Sequence, residues 1–206
     1  VQKTTTLFMN NTIKVLAISG STRKTSSNLN LIKAIADLAQ GLFTIDIFEG
    51  LSDLPQFNPD DNNEHASAQV TAFREKLRAA DGILICTPEY AIGVPGSLKN
   101  AIDWTVSSME FSKKPVALIT ASLSGERAHQ SLLGTLLIIE SLMTEHTQLL
   151  IPFIKSKVNE QGITDKDTLD KVNQLIQAFE QLIRHKDNVG LLPEPILMND
   201  GVNSGK

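Results

Sequence analysis

Along the chain, short aliphatic and β-branched runs alternate with longer stretches in which apolar residues recur at helical spacing. Ile13–Ser19 (IKVLAIS) is nearly continuous in its apolar character and stops at a glycine, the pattern of a buried strand. Residues 29–40 then switch period: Leu29, Ile32, Ile35, Ala36 and Ala39 share one helical face, and residues 26–28 (Ser-Ser-Asn) are suited to cap it. Phe43–Phe48 alternates as a second strand, followed by a loop with Pro55 and Pro59. Residues 65–80 form an amphipathic helical pattern, and Gly82–Thr87 (GILICT) a third strand apolar on both faces. The remaining pattern predicts a helix over 98–107, a strand over 115–121 and a long helix over 128–145. A fifth strand over 148–154 and a last helix over 165–185 complete it.

Strands that are hydrophobic throughout and alternate with helices imply a parallel sheet covered on both faces. Five of them predict an α/β, flavodoxin-like three-layer sandwich with strand order 2-1-3-4-5. We expect one domain over residues 1–206, with a core of about 13–186 and loose terminal segments at 1–12 and 189–206. The long helical pattern also carries an oligomerisation signal. Leu132, Leu133, Leu136, Leu137, Ile138, Ile139, Leu142 and Met143 would spread over roughly 260° of a helix turning ~100° per residue. A helix packed on one sheet needs an apolar stripe of only ~100°, so the excess predicts a partner surface, unless the C-terminal tail or last helix covers it.

Composition narrows the function. With 41% hydrophobic and 20% charged residues and a net charge of −4, the chain has no basic stretch to track a phosphate backbone, so nucleic acid is not an expected partner. A single cysteine, Cys86, excludes an intrachain disulfide framework and any multi-cysteine metal site. The four histidines are scattered without zinc-ligand spacing, and no metal is expected. Neither a secretory signal in residues 1–12 nor an apolar run near ~18 residues is seen, so the expectation is a cytoplasmic protein without a membrane partner.

In open α/β sheets, ligands bind beyond the carboxyl ends of the strands where the strand order reverses. After the first strand comes Gly20-Ser21-Thr22-Arg23-Lys24-Thr25-Ser26-Ser27-Asn28, which places hydroxyls, a guanidinium and backbone N–H groups before a helix start. A phosphate dianion needs that combination; a Ser/Thr-rich turn that merely caps a helix would look the same. It is neither a dinucleotide fingerprint nor a P-loop, because the later glycines and the Gly-Lys pair are missing. After the third strand, residues 87–104 pass two prolines and two glycines and hold the sole Tyr and sole Trp. Such a stiff loop suits either the edge of a flat polar ring or a plain strand-to-helix turn.

Taken together, Gly20, Ser21, Arg23, Ser26 and Asn28, then Pro88-Glu89-Tyr90, then the run from Pro95 to Trp104 (PGSLKNAIDW), resemble the NAD(P)H-dependent FMN reductase family. That family includes quinone, chromate and azo-dye reductases, and the resemblance extends over roughly 13–154. One departure is Ala91, where the family commonly has asparagine. The resemblance implies that Ser21, Arg23, Ser26 and Asn28 hold the phosphate of FMN. It further implies that Pro88, Glu89, Tyr90, Ala91 and Ile92 line the isoalloxazine and that Ser122 closes the other side. NADPH or NADH would reduce the flavin, and a small acceptor (quinone, flavin, azo compound or metal oxyanion) would then take the electrons, in ping-pong order. The cofactor carries the chemistry, so no catalytic side chain is expected. Homodimers or homotetramers are also implied.

Other residues receive plainer expectations. Cys86 reads as a packed thiol, His129 as a helix-surface residue and Glu89 as a loop anchor. Arg127 is left open between a nicotinamide-nucleotide phosphate and an ion pair. Rival functions are an FMN electron carrier and a redox-sensing subunit without nicotinamide turnover. A receiver-type signalling domain fails, because the residues at 19–21 and 87–89 lack its aspartates.

Overall fold

In a computed structural model, residues 12–62 and 66–193 are described. Five parallel strands, β1 (Ile13–Ser19), β2 (Phe43–Phe48), β3 (Gly82–Thr87), β4 (Val116–Ala121) and β5 (Gln148–Ile151), pair in the order β2-β1-β3-β4-β5. That is the expected three-layer α/β topology. The helices are α1 (Ser27–Leu38), α2 (Ala68–Ala79), α3 (Gly96–Asp103), α4 (Glu126–Ile138) and α5 (Lys166–His185).

Alternation along the strands divides the apolar residues between two cores. Leu16, Ile18, Ile83, Ile85 and Leu118 face α2, α3 and α4, which present Val70, Phe73, Leu98, Ile102, Leu132 and Leu136. Val15, Ala17, Leu84, Cys86 and Ile119 face the opposite way, onto Leu31, Ile32 and Ile35 of α1 and Val172, Ile176 and Phe179 of α5. The register keeps the strand ends level: Ser19 pairs with Cys86, Thr87 with Thr120, and Ala121 with Ile151. The loops after β1, β3, β4 and β5 therefore emerge along one edge. Gly20 follows β1 directly because a side chain there would run into Thr87, whose Cβ would lie 2.7 Å from an added Cβ.

Several boundaries differ from the sequence expectation. The expected long helix over 128–145 stops at Ile138. Its end is a Schellman motif: the Glu140 N–H donates to Leu137 O (3.0 Å) and the Ser141 N–H to Leu136 O (3.0 Å). Glu140 takes the left-handed conformation at φ 64°. Beyond it the chain turns along the sheet, where Val116 N–H donates to Leu142 O and Leu142 N–H to Lys114 O, both 2.9 Å. Of the eight apolar residues assigned to one helix, Ile138 alone is exposed; Leu142 and Met143 lie on a different segment. Leu192 N–H also donates to Met143 O (2.8 Å), so the chain after α5 returns to this region. The broad apolar helix face expected to mark a partner surface therefore does not form on α4.

The fifth strand ends at Ile151 rather than 154, where Pro152 removes a ladder donor. A short hairpin, β6 (Val158–Asn159) with β7 (Gly162–Ile163), was not expected and packs on α1. The helix expected over 98–107 ends at Asp103; Trp104 then donates from Nε1 to Pro55 O (2.9 Å). The helix expected from 65 begins at Ala68, capped by the Ser67 hydroxyl. Its first expected residue lies outside the described residues, as do 1–11 and 194–206 of the expected loose ends.

Candidate functional site

A cleft of about 620 Å³ opens at the carboxyl edge of the sheet, within the ~300–1,000 Å³ usual for small-molecule and cofactor sites. It lies at the point where the strand order reverses, between the loops of β1 and β3. Seven residues singled out from the sequence share its wall: Ser21, Arg23, Ser26, Asn28, Pro88, Tyr90 and Ser122. Glu89, Ala91 and Ile92 are not part of that wall.

Part of the wall is built for an anion. Ser26 caps α1, its Oγ accepting the Asn28 N–H at 3.2 Å, which leaves the hydroxyl proton free to donate. The amides of Thr25, Ser26 and Ser27 donate to no acceptor among the described residues. They stand at the positive end of the α1 dipole. Arg23 has no carboxylate partner among the described residues, and no side chain of the cleft wall is acidic. An unpaired guanidinium, free amides and hydroxyls together satisfy a phosphate dianion.

Other parts of the wall are apolar. Tyr90, Ala121, Leu123 and Phe153 contribute carbon surface, and Tyr90, Leu123 and Phe153 are exposed at the mouth. Side chains fasten these loops to one another. Ser21 Oγ lies 3.3 Å from Tyr90 Oη, joining the loop of β1 to that of β3. Ser122 Oγ accepts the Glu89 N–H at 3.1 Å, joining β3 to β4.

The polar atoms of Asn28 and Glu89 are engaged within the protein itself. Asn28 Nδ2 donates to Ala121 O (3.1 Å), and its Oδ1 accepts from the Cys86 thiol (3.2 Å). Asn28 thus pins the start of α1 to the ends of β3 and β4. Glu89 accepts from the Ser124 hydroxyl (3.0 Å) and from the Ala128 N–H (2.9 Å), substituting for the side-chain cap that Gly125 cannot supply to α4. The Ala128 N–H is also what holds the Glu89 carboxyl below the ordinary carboxylate range. Its expected role as a loop anchor matches this geometry.

Ala91 and Ile92 sit at the tip of a two-residue turn closed by Tyr90 N–H to Gly93 O (3.0 Å) and Gly93 N–H to Tyr90 O (2.9 Å). Both have positive φ, 48° and 64°, which defines a type I′ turn. Asn is favoured at the first such position, and Ala91 occupies it here.

Three further side chains have clear places. Cys86 is fully buried, and burial pushes its thiol pKa up, so it is a packed residue as expected. His129 is a correction: it is buried, not on the helix surface. Its Nδ1 lies 2.9 Å from Thr120 Oγ1 and its Nε2 2.7 Å from Gln148 Oε1, tying α4 to β4 and β5. Arg127 is exposed and has no ion-pair partner among the described residues.

One wall of the cleft was not anticipated. Phe153, Ile154, Lys155 and Ser156, in the segment after β5, complete it. Pro152 was the available signal, since proline ends a strand run. Among the described residues, no group of metal-ligating side chains occurs and no helix is long and apolar enough to cross a membrane.

The family profile described as NADPH-dependent FMN reductase matches residues 13–156. A quinone reductase of Escherichia coli K12 is 30% identical over 184 residues, covering 85% of this chain and 98% of its own. An NAD(P)H-dependent FMN reductase of Pseudomonas aeruginosa is 33% identical over 182 residues, covering 85% and 98%. Among solved structures, the flavoenzyme NAD(P)H:(acceptor) oxidoreductase FerB of Paracoccus denitrificans superposes with a TM-score of 0.75 at 28% identity, over 84% of this chain and 97% of that one.

Proposed function

Because the chain belongs to the NADPH-dependent FMN reductase family, we propose that its cleft holds FMN and that it passes electrons from NADPH or NADH to a small acceptor such as a quinone. The observation that supports this most is the make-up of the cleft wall: an acid-free anion cradle at the start of α1 together with carbon surface from Tyr90, Leu123 and Phe153. FMN combines the two matching characters, a phosphate dianion and a flat ring system. When bound, FMN supplies the redox chemistry between the nicotinamide and the acceptor.

The chain's own residues bind and orient. Arg23, the Ser26 hydroxyl and the amides of Thr25 to Ser27 would hold the phosphate. Ser21 and Tyr90 lock two loops at a fixed separation, and Ser122 ties the Glu89 amide to the loop of β4 in the same way. The exposed Tyr90, Leu123 and Phe153 leave an open apolar mouth through which nicotinamide and acceptor would approach in turn.

The test is a titration of the protein with FMN, followed by steady-state oxidation of each nicotinamide in the presence of a quinone. FMN binding with quinone-dependent turnover is expected, and Arg23→Ala should weaken FMN binding by about 1.5–3 kcal/mol, the scale of a hydrogen bond to a charged group. Absence of FMN binding would refute the reading. Binding without nicotinamide oxidation would instead make the protein an electron carrier.

A further inference from the structure

The segment after β5 does more than connect β5 to the hairpin. From the edge strand it crosses the end of β4 on its way to α1, where β6 and β7 pack. On the way it is strapped to the loop of β4 by two backbone bonds, Phe153 N–H to Leu123 O and Ile154 N–H to Ser122 O, both 3.1 Å. Ile154 is buried in the core with Leu31 and Ile32 of α1, which fixes the strap against the helix whose first turn forms the anion cradle. Phe153 is held at φ 55°, a conformation unfavourable for a bulky residue, so the strap geometry is imposed by its surroundings.

This strap brings Lys155 into the cleft wall. Like Arg23, Lys155 has no carboxylate partner among the described residues. Arg23 and Lys155 are the two cationic side chains of a wall that has no acidic one, in a chain whose net charge is −4. A cleft with two unpaired cations and free amides at a helix start matches a ligand bearing two negative charges.

We propose that Lys155 is a phosphate-selecting residue, supplying from the strap a second positive charge to the dianion held by Arg23 and the start of α1. This rests on the FMN reading above. Its consequence is specific: Lys155 should discriminate phosphorylated FMN from riboflavin, which has the same ring and ribityl chain but no phosphate.

The experiment titrates FMN and riboflavin, by quenching of flavin fluorescence, into the full chain, Lys155→Gln, Lys155→Arg and Arg23→Ala. For a solvent-accessible cation, Lys155→Gln should weaken FMN binding about threefold to tenfold, leave riboflavin unchanged, and flatten the dependence of FMN affinity on salt. Lys155→Arg should retain most of the affinity. Equal losses for FMN and riboflavin, or none for either, would overturn the proposal. If the unaltered chain binds neither flavin, the FMN reading itself fails. If it binds FMN and only Arg23→Ala responds, that reading survives and Lys155 has no part in the phosphate site.

Discussion

The turn at Ala91 and Ile92 places two L-residues with side chains in the left-handed region, at φ 48° and 64°. That conformation costs roughly 1–2 kcal/mol for an ordinary L-residue, and for a β-branched one it is a genuine outlier. Ile92 recovers nothing by packing, since it is 74% exposed. Ile92→Gly should remove the strain and return about 0.5–1 kcal/mol of it as backbone entropy lost on folding, for a net gain of about 1 kcal/mol. Ala91→Asn, the residue type favoured at the first position of such a turn, should add up to about 1 kcal/mol. The pair together is therefore expected to stabilise the protein by about 2 kcal/mol, or roughly 4–8 °C in Tm for a chain of this size. Urea denaturation of the flavin-free protein, followed by far-UV circular dichroism, measures it without interference from ligand binding. A lower midpoint for the double variant, with an unchanged slope, would show that the left-handed pair is not strained and would refute the reasoning. Strain at such a place is consistent with function, because this turn belongs to the loop that carries Pro88 and Tyr90 into the cleft.

Two further outcomes are expected. Cys86 is fully buried with a raised thiol pKa, so a thiol reagent should label the native protein negligibly and react fully in denaturant; prompt labelling of the native chain would contradict its packing. Burial lowers the pKa of His129, with the Gln148 bond opposing in part, so the unfolded chain binds its proton first and stability should fall as pH drops below about 6.5 towards the depressed folded value. His129→Gln should show a smaller loss in urea midpoint between pH 7.5 and pH 5.5, whereas parallel losses in both proteins would exclude His129 as the source.

The sheet was legible because each of its strands carries a purely local signal. Ile13–Ser19 and Gly82–Thr87 were found at both ends, since a strand buried on both faces is a continuous apolar run bounded by polar or glycine residues. The end of α4 was not legible for a specific reason. A Schellman motif is usually marked by glycine or asparagine at its left-handed position, and this one has Glu140. With no punctuation, the apolar residues 139, 142 and 143 continued the helical count, although Leu142 pairs beside Pro115 on the sheet. His129 reads as a surface residue because it is polar; its two hydrogen bonds, to Thr120 and Gln148, make its burial tolerable.

The candidate site divides along the same line. Several of the residues singled out from the sequence hold one loop to another through their side chains: Ser21 to Tyr90, Asn28 to Ala121 and Cys86, Ser122 to Glu89, and Glu89 to the first turn of α4. Each bond needs a particular side chain at a particular spacing, and that requirement is what a motif records. The strap that completes the cleft is held instead by main-chain bonds from residues 153 and 154 to the carbonyls of 123 and 122. Any residue other than proline can donate such a bond, so the strap's placement imposes no residue type, and Pro152 marks only where β5 stops. A cleft wall built from backbone can thus recruit a side chain such as Lys155 at a position that no spacing in the sequence connects to Arg23.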